Sequence, residues 1–156
     1  MNRRHRIKLV ICLCLIFLNL SFIWGNSMLA GPQSAELSGG LLEVLEEFLE
    51  ETIPGGHMLL RKLAHFTEFA SLGLLLAWLF LLLGQQSFHK FTMPLLCGIL
   101  AALTDESIQM LTPERGPGVA DVLIDTAGAL TGILILLLGH CLWQMKKQKS
   151  NGGNET

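Results

Sequence analysis

The stretch "LLRKLAHFTEFASLGLLLAWLFLLL", Leu59 to Leu83, decides the fold. It is long and apolar enough for a helix that crosses about 30 Å of hydrocarbon, which takes about 20 residues. Its first turns nevertheless carry Arg61, Lys62, His65 and Glu68. Three further apolar runs occur, roughly Ile7–Trp24, Phe91–Leu111 and Val119–Trp143. The chain has 156 residues, 51% of them hydrophobic, with a mean hydropathy of +0.50. Four spans in so short a chain predict an all-α membrane protein, a four-helix transmembrane bundle.

The net charge of −2 says little, but its distribution is informative. Arg3, Arg4, Arg6 and Lys8 begin the chain, Lys90 lies between the second and third runs, and Lys146, Lys147 and Lys149 follow the fourth. The positive-inside rule puts these segments, and both termini, on the cytoplasmic side. The acidic segment between the first two runs and "TPERGPG" then face outward. The first run has the basic start of a signal peptide, but Met28 fits a small-x-small cleavage site with Ala30 poorly, so a retained helix is expected. Cys12, Cys14, Cys97 and Cys141 lie within the runs without zinc-type spacing and read as small apolar side chains.

Four segments follow. Residues 1–25 form a cytoplasmic basic start and the first helix. Residues 26–57 form an extracytoplasmic acidic loop, 58–145 a three-helix core, and 146–156 a basic, disordered cytoplasmic tail. Within the loop, Leu41, Leu42, Leu45, Phe48 and Leu49 recur at helical spacing opposite Glu43, Glu46, Glu47 and Glu50. An outer amphipathic helix between the first two spans is expected there, its leucines on the bundle top.

At about 100° per residue, Arg61, His65 and Glu68 share one side of the second span, while Lys62 points away with Phe69. Asp105 and Gln109 share a face of the third span, with Glu106 on its flank. Asp121, Asp125, Gly128 and Gly132 share a face of the fourth. Because the spans alternate in direction, these polar groups fall within roughly 15 Å of the outer boundary at 1.5 Å per residue. Ionisable groups in lipid are costly, so they pair, meet water or serve function. Glu68, Asp105, Glu106, Asp121 and Asp125 need counter-charge, and Arg61, Lys62, His65 and Arg115 are at hand. Arg115, in the Pro- and Gly-rich turn, can grip a carboxylate or a phosphate with two hydrogen bonds. Gly128 and Gly132 form a small-xxx-small step suited to close helix packing.

Together these residues resemble the VanZ-like family of small bacterial membrane proteins. The likeness runs through "WGNSMLAGPQSAELSGG", "RKLAHFTEFASLGLLL" and "TDESIQMLTPERGPGVADVLIDTAGALTGI". It is carried by KxxHFxEF, DExxQ, an Arg after Pro, and DVLIDxxGA in combination. The family's polar positions fall on Lys62, His65, Glu68, Asp105, Glu106, Gln109, Arg115, Asp121 and Asp125. Glu114, where Gly is the more usual residue before the Arg, departs from the pattern. The resemblance implies a cell-envelope role associated with teicoplanin-type glycopeptide resistance, without an established mechanism.

The expected function is binding of an envelope lipid or peptidoglycan precursor at an outward-facing intramembrane polar site. Two rivals stay open: an intramembrane hydrolase or transferase acting on a lipid-linked substrate, and a small oligomeric transporter. No catalytic nucleophile stands out, so the balance is against an enzyme. The expected partners are membrane lipid and a cell-wall precursor or glycopeptide, with no nucleic acid. No cofactor is expected, though a divalent metal at the acidic site stays open.

Overall fold

A computed structural model describes residues 2–28, 56–84, 88–111 and 118–152. They form four helices: α1 (Arg3–Met28), α2 (Gly56–Leu82), α3 (His89–Met110) and α4 (Val119–Gly152). All four are long and apolar enough to span a membrane. Helices are the outcome expected of such segments, because lipid offers the backbone no hydrogen-bond partner and a helix satisfies its own. α2 stops at Gly84, whose φ of 68° lies in the left-handed region. The Gly84 N–H there donates to the Leu81 carbonyl at 3.1 Å, using one of the carbonyls a helix end leaves open.

Contacts between helix ends fix the directions. His5 Nε2 donates to the Leu82 carbonyl at 3.0 Å, joining the start of α1 to the end of α2. Asn26 and Ser27, near the end of α1, bond Glu68 on α2 and Asp105 on α3. Lys62 on α2 meets Asp121 at the start of α4. Successive helices therefore run up, down, up and down. One end of the bundle gathers the C-termini of α1 and α3 and the N-termini of α2 and α4.

Parallel α2 and α4 make the closest seam. A Cβ added at Gly73, Gly128 or Gly132 would run into the backbone carbonyl of Ala129, Phe66 or Ala70 respectively. Close approach through small residues gives van der Waals packing where lipid removes the hydrophobic drive for helices to associate. Beside this seam, Cys12, Ile16, Ile23, Phe69, Leu72, Leu76, Ala101 and Ala102 form the buried core. Phe17, Phe22, Leu100, Leu123 and Leu138 point outward and exposed, as side chains bathed in lipid tails do.

Three sequence expectations are corrected. Helix α4 continues through Gly152, so residues 146–152 of the tail expected to be disordered are helical. Lys and Gln extend an already nucleated helix at little cost, and Lys147 Nζ stands 5.5 Å from the Trp143 ring. Lys62 does not point away from the polar site; it lines it, and Phe69 on the same helix face is fully buried. The reason is that α2 packs against α1, α3 and α4 together, so its inward arc is wider than one stripe. Helix α1 also starts earlier and ends later than the run Ile7–Trp24, which brings Asn26 and Ser27 into the bundle. The expected outer amphipathic helix, Arg115 and Glu114 lie outside the described residues.

Candidate functional site: a polar pocket at one end of the bundle

Buried acids gather where the four helices present their polar turns. Asp105 is 0% exposed, Asp125 2% and Glu106 7%, with Gln109 at 4% beside them. Asp105 on α3 is the centre. Ser27 Oγ donates to its Oδ1 at 2.6 Å. Gln109, one turn further along α3, donates to its Oδ2 and reaches Ser27 Oγ at 3.3 Å. His65 Nδ1 of α2 stands 3.8 Å from Asp105 Oδ2, beyond hydrogen-bond length. From α4, Asp125 completes a group in which one donor atom each from His65, Asp105 and Asp125 lies within 4.8 Å of the others.

The neighbouring acids are held separately. Asn26 Nδ2 donates to Glu68 Oε1 at 3.2 Å, while Glu68 Oε2 has no hydrogen-bond partner among the described residues. Glu106 accepts the Gly118 backbone N–H, pinning the approach to α4 onto α3. Asp121 is half-buried and pairs with Lys62 Nζ at 3.6 Å. A cavity of about 140 Å³ opens beside these groups, bordered by Arg61, Lys62, His65, Gln109, Asp121 and Asp125. Among the described residues Arg61 makes no ion pair. Of the nine polar positions expected from sequence, Arg115 alone is outside the described residues; the other eight converge on this end.

A family model described as VanZ/LLP1 matches residues 7–140, most of the chain. The chain belongs to the VanZ/LLP1 family. No curated protein and no solved structure matches it. The family match also spans α1, in keeping with the place of that helix in the bundle.

Two site residues of this VanZ/LLP1 protein escape the sequence reading, Asn26 and Ser27. Their signal is present in "WGNSM", a polar pair directly after an apolar run and at the depth of the other stripes. Gly73 is a third omission. With Ala77, also fully buried, it repeats on α2 the small-xxx-small spacing of Gly128 and Gly132.

Among the described residues, the hydroxyls near the site are bonded to carboxylates or backbone carbonyls. Ser27 is fully buried and gives its proton to a carboxylate, not an imidazole, so the order is hydroxyl–carboxylate–imidazole. Ser71 donates to the Glu68 carbonyl and accepts from Asn19. Thr104 donates to the Leu100 carbonyl on an exposed face.

Proposed function

We propose that this protein binds the anionic head group of a membrane lipid, a lipid-linked phosphate or peptidoglycan precursor, and thereby alters sensitivity to teicoplanin-type glycopeptides. The observation that carries the reading is Arg61. It borders the 140 Å³ cavity and makes no ion pair among the described residues. A guanidinium is always charged and grips phosphate with two parallel hydrogen bonds. Lys62, held only at 3.6 Å by Asp121, can turn to the same ligand. The polar end faces outward in this reading, with both termini cytoplasmic, as the basic segments require.

A transport reading is less well supported. The buried polar stripes do not continue through the bundle, and Leu74–Leu83 and Ile133–Leu138 offer no charge.

Two measurements test the proposal. Purified protein in nanodiscs should bind a polyprenyl phosphate at least ten-fold more tightly than the matching polyprenol. The double variant Arg61→Gln, Lys62→Gln should erase the difference. Equal affinity of the wild type for phosphate and alcohol overturns the reading. For orientation, single cysteines replacing Glu43 and Ser87 in a cysteine-free background are treated with an impermeant thiol reagent in intact cells. Labelling at Glu43 alone is expected, and equal labelling removes the outward-facing site.

A further inference from the structure

We infer that His65, Asp105 and Asp125 together hold one divalent transition-metal ion of the zinc type, with a coordination position left open to the cavity. The inference goes beyond the head-group reading and does not depend on it, since it uses neither Arg61 nor Lys62.

The spacing comes first. Zinc binds imidazole and carboxylate at about 2.0–2.2 Å, so two ligands of a tetrahedral ion stand roughly 3.4 Å apart. His65 Nδ1 and Asp105 Oδ2 are 3.8 Å apart, too far for a hydrogen bond and near that separation. The donor atom of Asp125 lies within 4.8 Å of both. Binding would draw the three donor atoms together from these separations onto one ion.

The second observation is independent of spacing. Asp125 is 2% exposed, borders the cavity, and has an Oδ1 with no hydrogen-bond partner. Buried carboxylates are otherwise paired or coordinate metal, because an unpartnered one carries a large desolvation cost. The ammonium on the cavity wall, that of Lys62, stands 3.6 Å from Asp121 and, among the described residues, makes no ion pair with Asp125. A cation between Asp105 and Asp125 supplies the partner that Asp125 Oδ1 lacks.

The surroundings suit a ligand set. Ser27 and Gln109 both donate to Asp105, which fixes the carboxylate's orientation as outer hydrogen bonds do around metal sites. An imidazole among the donors selects a transition ion over magnesium or calcium, which prefer oxygen alone. Three protein ligands beside an open cavity match the zinc sites that keep a fourth position for water or an exogenous oxygen. The open position faces the cavity, where a phosphate oxygen could complete it.

Chelator-treated full-length protein, purified without a histidine tag, is exposed to zinc in detergent and desalted. About one zinc per chain should be retained in the presence of millimolar magnesium. His65→Gln and Asp125→Asn should each weaken zinc binding at least ten-fold. His140→Ala, which removes a histidine at the opposite end, should leave it unchanged. No retained zinc in the wild type, or retention equal in all variants, overturns the site. If the two variants fail to accumulate, copper-loaded wild type decides by electron paramagnetic resonance. Splitting from one imidazole nitrogen is expected, and none or several overturns the assignment. Zinc retained without preference for the polyprenyl phosphate would leave the metal site and remove the head-group reading. The reverse result would do the opposite.

Discussion

The two ends of the bundle are built on different terms. At the end holding Asn26, Ser27, His65, Asp105 and Asp125, all four helices contribute polar groups to one network. Towards the other end, the inter-helix polar ties include His5 to the Leu82 carbonyl and the Cys12 thiol to the Leu75 carbonyl at 3.5 Å. There the helices meet through shape, with Leu76 and Ala77 buried and apolar side chains around them. Apolar packing and a glycine seam suffice to assemble helices in lipid. The acids at the polar end are therefore surplus to assembly, and an uncompensated one such as Asp125 works against it. Groups that cost stability and remain buried point to function.

Breaking the seam should have the largest effect. In Gly73→Val the new side chain meets the Ala129 backbone, which cannot swing aside. The cost should exceed the roughly 1–3 kcal/mol of an ordinary overpacked core, with little folded protein recovered from membranes. Gly139→Val, with nothing within 4 Å of its added Cβ, serves as the control and should unfold in detergent like wild type.

Next comes the network itself. Ser27→Ala removes the donor to Asp105 and an acceptor for Gln109. A loss of about 1–3 kcal/mol in unfolding free energy is expected for a buried partner left unsatisfied. A change near zero would mean that Ser27 only fills space.

Asp125 sharpens the contrast between stability and function. In metal-free protein, Asp125→Asn should raise stability by about 1 kcal/mol or more, because it removes an uncompensated buried carboxylate whose Oδ1 has no partner to lose. The same variant should abolish any change in glycopeptide susceptibility at normal membrane abundance. Strong destabilisation with loss from the membrane would make Asp125 a structural tie instead. Smallest of all, Leu138→Ala on the exposed face of α4 should stay within about 0.5 kcal/mol of wild type.

Much of this was legible from hydropathy and angular spacing. The apolar runs set the number of helices, and the one-sided charges in "LLRKLAHFTEF" foretold a single polar end. Lys62 was misplaced because a helical projection shows which residues share a face, not how many neighbours that face meets. Asn26 and Ser27 were passed over because hydropathy falls after Trp24, although the helix continues to Met28. Helix extension depends on backbone hydrogen bonds and on polar partners from other helices, which hydropathy does not register.

By itself, the sequence determined four lipid-compatible helices and the depth of their charges, since both follow from residue order along the membrane normal. Only the tertiary structure decided which acids share a neighbour. Asp105 receives Ser27 and Gln109, Glu68 receives Asn26, Asp121 receives Lys62, and Asp125 Oδ1 receives no hydrogen bond. That allocation depends on helix rotation and separation, set by the α2–α4 glycine seam, where side chains of zero volume let two backbones touch.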